Sequence, residues 1–397
     1  MESKSCFELA VVGAGVVGAA LAAALGRALP GSPIAFIGPG PAPADGRIGP
    51  FDARVYALSP GNAAFLDRLG AWARIPPERR APVHAMRVYG DSGASLLEFD
   101  AYRAGVGELA WIVEDSVLLE ALLGACRAQE RITVVRGSLA GIEIRGKQAL
   151  LGLEGGDRLE VQLVVGADGA RSRVREAAGI AASQVAYAQS AVVANFACSR
   201  THRNIAWQWF QGAVRGGAVL ALLPLPGGHV SMVWSVGTEE AARLAALAPE
   251  ALAGEVAAAS GGALGELSLV TPPRVLPLAR LAAAKLVAPR IALAGDAAHV
   301  IHPLAGQGAN LGLQDARVLA EVLAAREPGR DPGDERLLRR YERARAEDIL
   351  AMRAAVHGLF RLFAAQGGLA SRLRNAGLNL VDRLPVLKNA LMRHAMG

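Results

Sequence analysis

The chain has 397 residues, 52% of them hydrophobic, enough to bury more than one core, so two domains are the expectation. The formal charge of +6 comes from basic residues interspersed with acids, as in RLLRRYERARAED, which reads as a solvated helix face and not as a nucleic-acid patch. Cys6, Cys126 and Cys198 form no CxxC pair, which argues against structural zinc and a disulfide framework and for a reducing, cytoplasmic setting.

From Leu9 to Gly26 the chain carries no charge, a length that would suit a membrane helix. Glycines interrupt the run, and its order gives a better reading. Residues 7–12, FELAVV, form a buried strand. Gly13-Ala14-Gly15-Val16-Val17-Gly18 follows, and then a helix. Gly13 suits the tight turn, Gly15 lets the backbone approach a pyrophosphate, and Gly18 lets helix and strand pack closely. The free N–H groups at the helix start would face the phosphates. The next strand, PIAFI at 33–37, should end in an acid that holds the adenosine ribose. Gly38 stands there instead, with Asp45 in the following loop as a substitute.

Two later segments repeat the pattern of a strand followed by Gly and Asp. The first is LVVGADGARSRVR, with Asp168 and Gly169. The second is GDAAHVIHPLAGQGANLGLQDA, residues 295–316. Each places a carboxylate at the edge of the sheet where open α/β folds bind ligands. Asp296 is placed to accept from a sugar-like hydroxyl. Gly306-Gln307-Gly308 reads as a tight turn, and Asn310 as the N-cap of a helix through LGLQDARVLAEVLAA. His299 and His302 form an HxxH pair, but Pro303 follows at once, so the pair is read as shaping a loop and no metal is expected.

Between these segments, residues 206–210, 219–225 and 230–236 read as strands separated by turns. Trp207, Trp209, Phe210 and Trp234 are candidates for an aromatic pocket, with ordinary sheet packing the favoured reading. Beyond residue 358, apolar residues alternate with Arg361, Arg372, Arg374, Arg383, Lys388 and Arg393. That pattern suits either an amphipathic helix on anionic lipid or a packed helix.

Four stretches carry a resemblance: GAGVVG at 13–18, FDARVYALS at 51–59, GADGARSRVR at 166–175, and the segment at 295–316. Together with the tail LPVLKNALMRHAMG, they resemble the FAD-dependent aromatic hydroxylases of the para-hydroxybenzoate hydroxylase type, and among them the ubiquinone-biosynthesis hydroxylases. The resemblance implies an α/β fold with a Rossmann-like FAD-binding domain (1–80, 105–182 and 275–360). It also implies an interleaved antiparallel-sheet substrate domain (81–104 and 183–274) and a helical C-terminus (361–397).

It further implies that Gly13, Gly15 and Gly18 bind the FAD pyrophosphate and that Val17 contacts the cofactor. Asp168 and Gly169 would serve FAD and NAD(P)H access, and Asp296 would hold the ribityl chain. Pro303, Gly306, Gly308, Ala309 and Asn310 would face the flavin ring, where the following helix would stabilise negative charge. Arg54 would lie beside the cofactor. No catalytic side chain is expected, because the flavin carries the chemistry. The expected reaction is hydroxylation of a prenylated phenol with NAD(P)H and O2 through a flavin C4a-hydroperoxide. The alternatives are a small soluble aromatic acid as substrate, or a non-catalytic role in a ubiquinone-synthesis assembly. The enzyme is expected in the cytoplasm, with peripheral membrane contact in view. Gly38, Asp115, Ala309 and Gln314 depart from the family's usual residues.

Overall fold

The uncharged run near the N-terminus folds as strand β1 (Leu9–Val12), a glycine turn and helix α1 (Val16–Ala28), all packed inside the protein. The computed structural model describes residues 7–38, 51–90, 96–211, 217–301 and 307–364, with side chains through residue 352. The expectations at Cys6, Asp45, His302, Pro303 and Gly306, and those on the basic side chains from Arg361 onward, lie outside the described residues.

Strands β2 (Ile34–Gly38), β3 (Ile132–Arg136), β4 (Leu163–Gly166) and β5 (Ile291–Leu293) join β1 in a sheet ordered β5-β4-β1-β2-β3, all parallel. Val287–Ala288 adds an antiparallel edge beside β5. Strands β1, β2, β4 and β5 are buried along their whole length, as sheets covered on both faces require. Because the strands run the same way, Gly38 at the end of β2 and Gly13, Asp168 and Asp296 just past the ends of β1, β4 and β5 all lie on one edge. α1 packs against α2 (Gln307–Ala324), and α2 against α3 (Glu335–Ala364). α2 begins at Gln307, so Asn310 stands within its first turn and not at the expected N-cap.

A larger, mostly antiparallel sheet lies beside this layer. Its order is His299–Val300, Arg274–Ala283, Ala182–Cys198, His229–Gly237, Ala218–Leu225, Ile205–Gln211, Ala85–Tyr89 and Leu96–Asp100. One face buries Trp207, Leu220, Met232 and Trp234 under the helices Thr238–Ala245 and Pro249–Ala259. The opposite face includes Ala206, Leu223 and Leu225, which pack with Phe51, Val55 and Ile112. The three tryptophans therefore belong to a core turned away from the parallel layer, while Phe210 packs with Val88, Leu97 and Val219. A small sheet of Val55–Leu58, Ala110–Glu114 and Arg80–Val83 lies beside Phe51 and Asp52.

Candidate functional site

The glycine turn answers two separate demands. Gly13 has φ +117°, and a Cβ there would lie 2.2 Å from the Ala167 carbonyl oxygen. A Cβ on Gly18 would lie 1.8 Å from the Gly13 carbonyl oxygen, so α1 could not seat itself on the turn. Gly15 is different: a Cβ there would meet no protein atom within 4 Å. Gly15 is also the N-cap of α1, makes no side-chain cap bond, and precedes a first turn without an acid. The helix thus begins with open space and free N–H groups, an arrangement suited to an anion. Val17 packs against Gly295 and Gly312, where added Cβ atoms would fall 3.1 Å and 2.5 Å from its methyl carbons. It joins α1 to the Asp296 turn and to α2.

A Cβ on Gly38 would lie 2.4 Å from the Ala14 Cβ, so a carboxylate at the end of β2 would require the glycine turn to move. The missing ribose acid has this steric counterpart inside the chain.

Asp296 and Arg54 are both open to solvent, yet the protein crowds and desolvates them, as it does side chains that line a groove. Burial pushes the Asp296 carboxyl up, against the opposing pull of Arg54 and His299. Burial pulls the Arg54 guanidinium down, but Tyr56, Asp115, Asp296 and Asp52 outweigh it and hold it above its usual value. Arg54 lies 5.2 Å over the Tyr56 ring, and the Tyr56 hydroxyl donates to Asp115 at 2.6 Å. Burial raises the Tyr56 phenol, and the Asp115 hydrogen bond raises it further, so it stays protonated. Asp115 heads the helix Asp115–Arg127. Arg54 therefore lies among three carboxylates, Asp52, Asp115 and Asp296, and Asp296 follows Gly295, which packs on Val17 in the first turn of α1.

Asp168 faces inward. Its carboxylate accepts from the Ser172 hydroxyl at 2.5 Å and the Val174 N–H at 3.2 Å, tying the Asp-Gly turn to the helix Arg173–Ala177. Gly169 takes φ +81° with open space beside it. Asn310 is likewise occupied by protein. Its Oδ1 accepts from the Ser59 N–H and the Asn62 amide, both at 2.9 Å, and its Nδ2 donates to the Ala57 carbonyl at 2.8 Å. It anchors the first turn of α2 to the strand Val55–Leu58, which follows Arg54, and to the helix start after it. Gly308 and Ala309 lie in the same turn, and a Cβ on Gly308 would again meet nothing.

Beneath the Asp296 turn lies a network that the sequence reading did not include. Asp315, fully buried, accepts from the Gly295 N–H at 2.9 Å, pairs with His299 Nε2 at 2.7 Å and accepts from Arg345 Nε at 2.8 Å. Burial pushes the Asp315 carboxyl up, but His299 and Arg345 outweigh it and hold it below the usual range. Asp315 sits in the same motif as Asp296, and its place on the inward face of α2 was the available signal. Arg345, thirty positions further on in α3, gave none. His299 is engaged with Asp315, and among the described residues no group of three His, Cys, Asp or Glu side chains could hold a metal ion.

Residues 144–354 match the family described as FAD binding domain. A ubiquinone hydroxylase, UbiL, of Rhodospirillum rubrum is 36% identical, over 98% of this chain and 89% of that protein. The 3-demethoxyubiquinol 3-hydroxylase of Escherichia coli is 34% identical, over 98% of both chains. The solved structure of p-nitrophenol 4-monooxygenase PnpA from Pseudomonas putida superposes with a TM-score of 0.80 at 19% identity, over 99% of each chain, a likeness of fold. The open cradle at Gly15, beside an accessible carboxylate and guanidinium, fits FAD. The family match and these relatives define an FAD-dependent monooxygenase. Within that class, the chain belongs to the ubiquinone-biosynthesis hydroxylase family.

Proposed function

We propose that this protein hydroxylates the ring of a prenylated phenol, a ubiquinone precursor, using NAD(P)H and O2. The observation that carries the reading is the convergence on one edge of the parallel sheet of an uncapped helix N-terminus at Gly15, the guanidinium of Arg54 and the carboxylate of Asp296. The substrate class follows from the names of the relatives that align over nearly the whole chain.

When bound, FAD supplies electron transfer and oxygen activation. Gly13, Gly15 and Gly18 would shape the pyrophosphate cradle, and the α1 N-terminus would neutralise it with N–H groups. Arg54 would add a fixed cation, kept protonated by its carboxylate neighbours. Asp296 would accept from the ribityl hydroxyls, and Val17, Gly308 and Ala309 would lie against the flavin. Asp168 and Asn310 would act from behind by holding the turns in place. The α2 N-terminus would stabilise negative charge on the reduced ring. The large antiparallel sheet would cover the substrate and exclude water. The domain division read from the sequence suits these roles, with the parallel layer holding the cofactor and the large sheet forming the substrate layer. We place the enzyme in the cytoplasm, with contact at the inner membrane face. No helix among the described residues is long and apolar enough to cross a membrane.

The test starts from purified protein with its flavin. NAD(P)H oxidation should accelerate when a prenylated phenol is added, and the product should gain one oxygen from isotopically heavy O2. A flavin-loaded protein that ignores prenylphenols but hydroxylates a small aromatic acid would move the substrate assignment. Protein that holds no flavin after reconstitution would leave only the assembly role.

A further inference from the structure

Two polar atoms on the large sheet have no hydrogen-bond partner among the described residues: Asn195 Oδ1 and Ser231 Oγ. Both residues are 0% exposed. Unpartnered buried groups are rare because each costs its desolvation without return. Here two occur together, since Asn195 and Ser231 stand directly opposite each other across the Ala182–Cys198 and His229–Gly237 ladder. Residues in such register on one face have Cβ atoms about 5 Å apart.

The face is the one turned toward the cofactor layer. Ser231 is paired on its other side with Leu223, which packs with Phe51 and Val55. Asn195 Nδ2 donates to the Asp52 carbonyl at 2.8 Å, two residues from Arg54. That bond also settles which way the amide points: the nitrogen faces the carbonyl, so the free atom is the oxygen. Asn195 Oδ1 can only accept, whereas the Ser231 hydroxyl can donate and accept.

We propose that Asn195 and Ser231 form the polar clasp for the substrate's phenolic hydroxyl. The phenol O–H would donate to Asn195 Oδ1, and the phenol oxygen would accept from the Ser231 hydroxyl. A phenol hydroxyl both donates and accepts, so it satisfies both free atoms at once, and the apolar neighbours Leu223, Phe51 and Val55 suit its ring and hydrocarbon substituents. The clasp also links substrate to cofactor, because the amide that holds the phenol holds the Asp52 corner from which Arg54 extends.

This assignment rests on the phenol reading above, and the experiment separates the two. Flavin-loaded wild type, Ser231→Ala and Asn195→Leu are each titrated with a short-chain 2-prenylphenol and with the matching prenylbenzene, which lacks the hydroxyl. Binding is read from the change in flavin absorption, and each protein is also melted without ligand. Wild type should favour the phenol by roughly tenfold or more, the worth of one to two hydrogen bonds. Both variants should keep their flavin and lose most of that preference.

Ser231→Ala removes one unpartnered oxygen, so without ligand it should melt at the wild-type temperature or above. It decides the matter alone if Asn195→Leu, which also loses the bond to Asp52, fails to fold. An unchanged preference in Ser231→Ala overturns the clasp. So does a lowered melting temperature, which would show that the hydroxyl serves a structural partner such as a buried water. If flavin-loaded wild type takes up neither probe, the phenol reading fails and the clasp falls with it.

Discussion

Gly15 and Gly18 are three residues apart in one motif, and alanine should affect them in opposite ways. At Gly15 the added methyl meets no protein atom. Gly15→Ala should therefore keep the melting temperature of the ligand-free protein and weaken FAD binding, read by titrating apoprotein with FAD. At Gly18 the methyl meets the Gly13 carbonyl, so Gly18→Ala should lower stability whether or not FAD is present. Similar stability losses at both positions would mean that Gly15 is held by packing and not by a ligand. The Gly38–Ala14 contact gives a second case. Gly38→Ala alone should be destabilising, and adding Ala14→Gly should restore much of the loss, a non-additive pair. Asp296 adds a functional cost. Its folded pKa is raised, so its ionised form lowers the stability of the ligand-free protein at neutral pH. The penalty is relieved as pH falls through the raised value. Asp296→Asn should accordingly raise the melting temperature of the apoprotein at neutral pH while weakening its hold on FAD. A drop in both would assign Asp296 a structural role.

At the scale of elements, the legible parts were those whose cause is local. Strand, glycine turn and helix sit within twenty residues at the N-terminus, and the run from Gly295 to Ala316 holds both the strand-end acid and the helix that follows. The chain could be read there because the residues proposed to bind are the ones that set the local fold. The N-cap reading of Asn310 failed for a local reason: α2 starts at Gln307, and the Asn310 side chain reaches across to Ser59, Asn62 and Ala57. What stayed hidden depends on distant partners. Arg345 becomes meaningful only when α3 lies against α2, and Asn195 only when its strand pairs with the one that carries Ser231. The Asp315 network shows what such a contact is worth. Removing one member of a buried, hydrogen-bonded pair costs about 3–5 kcal/mol. Asp315→Asn should destabilise by that order, loosen the Gly295 turn and weaken FAD binding. The pH sign is opposite to that of Asp296. The folded pKa of Asp315 is depressed, so its stabilisation is complete at neutral pH and fades only as pH falls below the ordinary carboxylate range. The wild-type advantage over Asp315→Asn in denaturant melts should shrink in acid and stay level across neutral pH. An advantage that grows in acid would reverse the assignment.

For the whole molecule, the question is how far the cofactor's influence reaches. The largest core wraps the parallel sheet, α1 and α2, and a separate core lies between the large sheet and the helices at 238–259. Several connections cross between the layers, among them the pairing of His299–Val300 with Leu281–Ala282, the Asn195 bond to Asp52, the Arg274–Asp52 ion pair, and the packing of Ala206 and Leu225 on Val55 and Ile112. A ligand stabilises only the cooperative unit whose folded form creates its site, by about 2.7 kcal/mol at a hundredfold excess over Kd. Without FAD, the first turn of α1 has uncapped N–H groups and the groove holds a desolvated carboxylate, so the loss should concentrate there. Hydrogen exchange on FAD-loaded and FAD-free protein measures this directly. Removing FAD should speed exchange at residues 15–20, 295–300 and 308–313. The central strands Ala218–Leu225 and His229–Gly237 should keep their protection, because their core is separate. Equal acceleration in those strands would mean that these cross-connections bind the layers into one cooperative unit. Emptying the cofactor groove would then loosen the Asn195–Ser231 clasp as well, and substrate binding would require the flavin to be in place first.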